Sequence, residues 1–211
     1  MAVLNIDRLR ATPLRREPFD FLIVPGFVGQ NAKTGLEDDF PQIAHAGSFP
    51  LSGLAYGPAF SALLDELRGS EFGAAMSGKF SIELTAYPTL ITVRGCCGRH
   101  DGHVHTDAAW KVVSVLLYLN EDWNSDGGRL RLLHSKNLED AAVEVPPTWG
   151  TLLAFRRSER SFHGHKLFEG ERRVVQLNWV TDQKLIDREV RRHRRTARLK
   201  RLRPFASRWG Y

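Results

Sequence analysis

Metal chemistry is written into two short stretches of this sequence, Gly102-His103-Val104-His105-Thr106-Asp107 and, far downstream, Ser161-Phe162-His163-Gly164-His165. On an extended strand, residues two apart share a face, so the His105 imidazole and the Asp107 carboxylate point the same way and can bind one ion together. One further histidine completes a set of two imidazoles and one carboxylate. On one face of an octahedral metal such a set leaves three positions open to exogenous ligands. His163 or His165 is the natural third ligand. Spacing alone also leaves a His103-His105 pair open, because His103 shares the parity of His105 and Asp107.

A His-x-Asp pair is a weak signal in a chain with eight histidines, and its context is what gives it meaning. Facial sets with open positions suit non-haem iron(II) oxygenases. Ten residues after His163 stands Arg173, opening the apolar run Val174-Val175-Gln176-Leu177-Asn178-Trp179-Val180. A guanidinium inside a barrel keeps its charge and grips a carboxylate with two parallel hydrogen bonds. The distal carboxylate of 2-oxoglutarate needs an anchor of that kind.

The segment from about Gly102 to Trp179 resembles the catalytic core of iron(II)/2-oxoglutarate dioxygenases of the prolyl 4-hydroxylase type. In that family the His-x-Asp pair is followed by a strand ending in Tyr-Leu-Asn, an acidic-Trp turn and Gly-Gly-x-Leu-Arg. Here these stand, in the family's order, as Tyr118-Leu119-Asn120, Asp122-Trp123 and Gly127-Gly128-Arg129-Leu130-Arg131. The resemblance implies iron(II) on His105, Asp107 and His163, the last favoured over His165 because the family's interval to the basic anchor fits His163 with Arg173. It also implies 2-oxoglutarate held by Arg173, with Tyr118 and Trp179 at matching positions, and ascorbate as a supporting reductant. The activity implied is hydroxylation, since related halogenases carry a small residue where Asp107 stands. The motif does not read the substrate: a protein prolyl residue, a sugar, a lipid or a small metabolite all fit. A non-catalytic metal-binding jelly-roll module is the alternative.

Other residues near these motifs are candidates with plain structural alternatives. Lys111 and Arg94 flank the metal pair and are placed to grip an anionic substrate, or are solvated charges. His165 shares a face with His163, as a contact to cosubstrate or substrate or as a hydrogen-bonded core histidine. Tyr118 either meets the distal carboxylate or packs in the core. Arg172 is expected to face away from Arg173 on a strand, as a surface residue.

The elements that must position these groups read as mostly β with supporting helices. A first strand lies within Pro18 to Val28, stopped by Pro25-Gly26, and residues 29–56 read as loop. Phe60, Leu63, Leu64 and Leu67 fall at helical spacing between Gly57 and about Met76, with a break near Gly69-Ser70. Strands follow from Thr89 to Arg94, Lys111 to Asn120, Arg129 to Leu133, Ala142 to Val145, Gly150 to Phe155, Ser161 to Leu167 and Arg172 to Val180. Short strands between Gly/Pro turns, preceded by helix, predict a double-stranded β-helix, or jelly roll. The family resemblance implies the same fold.

Charge divides the chain. From Asp182 onward eleven Lys/Arg stand against three acidic residues, so 182–211 carries +8 of a net +6 and residues 1–181 carry −2. The reading is a dioxygenase domain over 1–181, with its core at about 85–181, and a basic extension over 182–211. The extension is a solvated or protein-docking segment first, an anionic membrane contact second and a nucleic-acid contact third, since no binding motif accompanies its charge. No apolar run approaches the ~20 residues that span a bilayer. The start lacks a signal-peptide core, and adjacent Cys96 and Cys97 read as free thiols. A cytoplasmic setting, peripheral to the membrane if the extension binds lipid, is the expectation.

Overall fold

The computed structural model of the protein describes residues 2–188 and 191. In chain order its elements are α1 (Ile6–Ala11), β1 (Phe21–Val24), α2 (Lys33–Asp38), β2 (Phe49–Pro50), α3 (Pro58–Arg68), α4 (Ser70–Phe80), β3 (Thr89–Cys97), β4 (Lys111–Tyr118), β5 (Leu130–Leu133), β6 (Ala141–Val145), β7 (Thr151–Arg156), β8 (His163–Gly164) and β9 (Gly170–Val180). Six strands form one sheet in the order β1-β7-β4-β9-β3-β2, and three form a second in the order β6-β5-β8. All the strand pairs are antiparallel. The expected double-stranded β-helix with helical support is what is found.

The large sheet is buried on both faces, and residue parity separates them. Val113, Val115 and Leu117 of β4, Leu152 and Ala154 of β7, and Val175, Leu177 and Trp179 of β9 pack with Phe60, Leu63, Leu64, Phe72 and Met76 of the helices. The alternate residues Tyr118, Leu153, Phe155 and Val174 join Leu130, Leu132 and Val145 of the small sheet in a second cluster. The gap between the sheets therefore receives one parity of each strand, and the helices receive the other.

The helical layer follows from its apolar spacing. Phe60, Leu63, Leu64 and Leu67 make one buried stripe on α3, and Pro58 starts it where a missing N–H costs nothing. Gly69, extended at φ −63° and ψ 151°, ends α3 and caps α4, so one residue makes the break. Two segments differ from expectation. Residues 29–56 contain α2 and the two-residue β2, because Leu36 is buried against the core and Phe49-Pro50 pair with β3. The strand expected from Ser161 to Leu167 contracts to β8, which pairs with Arg131 and Leu132 on one side while His163 pairs with His105 on the other.

Among the described residues no helix is long and apolar enough to cross a membrane. The expectations for the basic extension fall outside the described residues, apart from 182–188 and 191.

Trp179 stacks on Phe72 at 5.8 Å between ring centroids and 29° between planes, deep in the helix-facing core. Trp179→Ala is expected to lower stability by about 3–5 kcal/mol in denaturant titration. Near-wild-type stability in that variant would contradict this packing role.

Candidate metal centre

His105 and His163 meet through their own backbones. His105 N–H donates to the His163 carbonyl at 3.0 Å, and His163 N–H donates back to His105 at 2.9 Å. This reciprocal pair sets the two imidazoles 4.4 Å apart between ring centroids. Asp107, two residues on, turns its carboxylate to the same place. One ligand atom from each of His105, Asp107 and His163 lies within 4.8 Å of the others.

The protonation of each ligand is held in the form a metal needs. His105 Nδ1 lies 2.8 Å from the His103 carbonyl, and His163 Nδ1 lies 3.0 Å from the Ser161 carbonyl. A carbonyl only accepts, so each Nδ1 donates and each Nε2 keeps its lone pair for an ion. Burial pushes the His163 imidazole down to about 4, against the opposing pull of Asp107, which keeps it neutral. Burial works to raise the Asp107 carboxyl, but the Lys111 ammonium, His163 and hydrogen bonds from Lys111 and Ser114 outweigh it and hold the group below the ordinary carboxylate range. Lys111 Nζ donates to Asp107 Oδ1 at 2.6 Å, and Ser114 Oγ donates to Oδ2. Ser114 lies 2.9 Å from Asn178 Oδ1, which completes the brace.

These ligands line a cavity of about 270 Å³ between the sheets. Leu116, Val174 and Gln176 of the central strands form one wall, and on the same parity Ser114 faces Asn178, Leu116 faces Gln176 and Tyr118 faces Val174 across β4 and β9. At the entrance to β9, Arg172 and Arg173 together oppose Gly95 at a bulge in the pairing with β3. Arg172, in phase with Val174 and Gln176, lies on the cavity side, 3% exposed. Its Nε donates to the Gly128 carbonyl at 2.8 Å, and its guanidinium carbon lies 5.3 Å from the centroid of the Tyr118 ring. Arg172 Nη2 and the Tyr118 hydroxyl are both buried without a hydrogen-bond partner among the described residues. Buried polar atoms left in this way are costly unless a further group joins them. Burial also raises the Tyr118 phenol, although Arg172 opposes it, so the phenol remains a donor.

Three sequence-based placements are corrected here. Arg173 points away from the cavity: it pairs with Glu171 at 2.8 Å and lies over Phe40 at 5.3 Å, outside the metal site. Trp179 shares its parity and packs against the helices, so it touches neither metal ligands nor cavity. Arg172, read from sequence as a surface residue, is the buried cation of the site. The signal that finds it is the alternation on β9, where Arg172, Gln176 and Asn178 share one polar parity and Val175, Leu177 and Trp179 share the apolar one.

Three further candidates, Arg94, Lys111 and His165, line the cavity, with partners the sequence did not show. Arg94 lines the cavity and pairs with Asp101 at 2.7 Å, and its second Nη lies 3.3 Å from Ser48. Lys111 lines it beside Asp107. His165 lines it too, with Nδ1 2.8 Å from the Lys166 carbonyl and burial lowering its pKa, but it stands outside the ligand set. His103 is exposed and contributes its carbonyl only. Gly102, at φ +88°, lets the loop lie against His165: a Cβ there meets the imidazole at 2.5 Å. Cys96 and Cys97 are free thiols as read from sequence. Ser48, Asp101, Ser114, Gln176 and Asn178 are contributions that motif spacing does not reveal.

The metal-free protein has a pH signature. In the unfolded chain His163 titrates near its ordinary 6.5, and in the fold at about 4, so the unfolded state takes the proton first. The stability it confers is complete above about pH 6.5, falls as pH drops toward about 4, and levels off below that. Denaturant midpoints at about pH 7, 6 and 5 are expected to fall in sequence, with a flatter profile for His163→Gln. Midpoints that rise with acidity over this window would overturn the neutral, buried His163.

Comparison with known proteins agrees with this geometry. Residues 88–181 match the family model described as the 2OG-Fe(II) oxygenase superfamily. No curated protein matches the sequence at a significant level. In fold the chain is similar to a prolyl 4-hydroxylase from Phytophthora capsici, with TM-score 0.54, 18% identity, and 86% of this chain and 67% of that one covered. It is also similar to a Pseudomonas putida prolyl-4-hydroxylase, with TM-score 0.52, 18% identity, and 83% and 90% covered. A viral collagen prolyl hydroxylase from Paramecium Bursaria Chlorella virus-1 gives TM-score 0.52, 13% identity, and 77% and 90% covered.

Proposed function

Residues 88–181 are a domain of the 2OG-Fe(II) oxygenase superfamily, and on that premise we propose that this protein hydroxylates its substrate with Arg172 and Tyr118 as the receptors for the cosubstrate's distal carboxylate. Iron(II) belongs on His105, Asp107 and His163, and 2-oxoglutarate is the cosubstrate, as in the family. The single observation that carries the proposal is the coincidence, in one cavity, of this ligand set with the buried Arg172, whose Nη2 lacks a partner among the described residues, as does the hydroxyl of Tyr118 packed behind it. Bound iron(II) with 2-oxoglutarate supplies the oxidising chemistry: dioxygen converts the cosubstrate to succinate and carbon dioxide, and one oxygen atom enters a substrate C–H bond.

The chain's own residues bind, orient and shelter. His105 and His163 present Nε2 because their Nδ1 protons are engaged by backbone carbonyls. Asp107 stays ionised because Lys111 and Ser114 hold it so. Arg172 is fixed by the Gly128 carbonyl through Nε, which leaves Nη2 to donate to a carboxylate, with the Tyr118 hydroxyl beside it. Leu116, Leu130, Phe155 and Val174 line the cavity as apolar wall, suited to the methylene carbons of a short dicarboxylate and to excluding water.

A metal-holding module without turnover is the rival from a different class, and succinate release separates the two, since a module forms none. The anchor is tested by anaerobic titration of iron(II)-loaded protein with 2-oxoglutarate, following the visible charge-transfer absorption of the complex. Arg172→Met is expected to weaken 2-oxoglutarate by about ten-fold or more, the scale of a lost charge-assisted pair of hydrogen bonds. Arg173→Met should stay within about two-fold. The reverse ranking would place the anchor on the other face of β9. In Asp107→Ala, folded by its circular dichroism, the absorption is expected to vanish.

A further inference from the structure

We propose that the substrate is a small molecule bearing a carboxylate, and that Lys111 is the residue that receives this group. The inference rests on the iron(II)/2-oxoglutarate reading above and extends it to the class of substrate.

Charge balance in the cavity points to it. Its lining holds three permanent cations, Arg94, Lys111 and Arg172, and two carboxylates, Asp101 and Asp107. The lining imidazoles add no permanent charge, and each of His105, His163 and His165 has its Nδ1 engaged by a backbone carbonyl. The protein therefore contributes a net +1. Iron(II) and the 2-oxoglutarate dianion cancel, so the loaded cavity keeps that single positive charge. An uncompensated charge in a mostly buried site is expensive.

The local pairing shows where the charge resides. Arg94 is matched by Asp101 at 2.7 Å, and nearby Arg157 by Glu159 at 2.7 Å. Arg172 goes to the distal carboxylate of the cosubstrate. Among the described residues Lys111 pairs with Asp107 alone, at 2.6 Å, and its side chain is 13% exposed. Once Asp107 serves a divalent ion, its negative charge is drawn toward the metal, and the Lys111 ammonium is left beside the reaction centre as a cation in want of an anion. One monoanionic group fits that vacancy in charge. A carboxylate is monoanionic near neutral pH, whereas a phosphate monoester carries more.

Size and lining chemistry limit what bears the carboxylate. The cavity of about 270 Å³ is shared with 2-oxoglutarate. Besides imidazoles its lining has one aromatic ring, Phe155, which packs on His163 at 4.8 Å between centroids. Ser48, Thr92, Gln176 and His165 line the remaining walls as hydrogen-bonding groups. Among the described residues the lining offers no pair of aromatic faces to clasp a peptide's prolyl ring, and a short polar acid suits these walls better than a polypeptide segment.

The test uses iron(II)- and 2-oxoglutarate-saturated protein under anaerobic conditions, titrated with acetate and with acetamide as isosteric charged and neutral probes. The visible absorption of the complex is the readout. Acetate is expected to perturb it saturably, and acetamide to need about ten-fold more or to have no effect, a factor typical of one charge-assisted contact. Lys111→Met, saturated with iron(II) and 2-oxoglutarate at concentrations set by its own affinities, is expected to lose the acetate response. Lys111→Arg is expected to retain it, which separates loss of the cation from a general disturbance of Asp107. Equal responses to acetate and acetamide, a full acetate response in Lys111→Met, or no acetate response in the wild type would each overturn the proposal. Absence of the absorption itself in wild-type protein strikes instead at the oxygenase reading, and takes this inference with it.

Discussion

Two backbone hydrogen bonds, exchanged between His105 and His163, are the constraint on which the site depends. The ligands come from segments nearly sixty residues apart in sequence, and side-chain packing alone would leave their imidazoles free to drift. A reciprocal antiparallel bridge fixes their Cα positions as a strand ladder does. The same bridge adds His105 to the edge of β8, so that metal centre and small sheet form one hydrogen-bonded unit. The glycines around it have a physical reason. At Gly164 a Cβ would lie 2.8 Å from the Gly102 carbonyl, and at Gly102 a Cβ would strike His165. Only a bare backbone lets the two segments approach this closely.

The large sheet turns that local constraint into a cavity by assigning each strand's two parities to different tasks. One parity meets the helices and supplies most of the buried apolar surface; the other meets the small sheet and the site. A shift of one residue on such a strand exchanges core for cavity. Arg172 and Arg173 show this at its sharpest, because alternation along β9 places two adjacent arginines on opposite sides. The inner one is desolvated beside Tyr118. The outer one forms a partly exposed pair with Glu171, worth little to stability.

The sequence made His105 and Asp107 legible because their signal is local, a His-x-Asp pair of one parity, whereas His163 was reached through the family's interval to a basic residue on the last strand. The strands were legible from their apolar runs, and α3 from its stripe at helical spacing. The cation of the site was misplaced because an interval counted along the chain carries no knowledge of which parity of the strand faces the cavity. Trp179 reinforced the error, having the same parity as Arg173, although its apolar neighbours Val175 and Leu177 mark that parity as core. Ser114, Asp101 and Asn178 were out of reach for another reason. Their roles consist of contacts to residues distant in sequence, and a lone serine or asparagine in a strand has no pattern to announce it.

The electrostatics of Asp107 show why those unannounced residues matter. A carboxylate buried to 7% exposure without donors would hold its proton, and a protonated acid is a poor ligand for a hard divalent ion. Ser114 donates to one oxygen and is itself oriented toward Asn178, while Lys111 donates to the other and adds a full charge. The hydroxyl brings geometry and no net charge, so it serves the loaded and metal-free states alike. The ammonium does not. It favours the ionised carboxylate most when no metal is present, and it is left opposing the ion once one is bound. A site built only to retain metal has no use for that repulsion, and an uncharged donor in place of Lys111 would brace Asp107 as well. The positive charge becomes useful only when a further anion enters the cavity, which ties the electrostatics of the first ligand shell to the molecule that must arrive there.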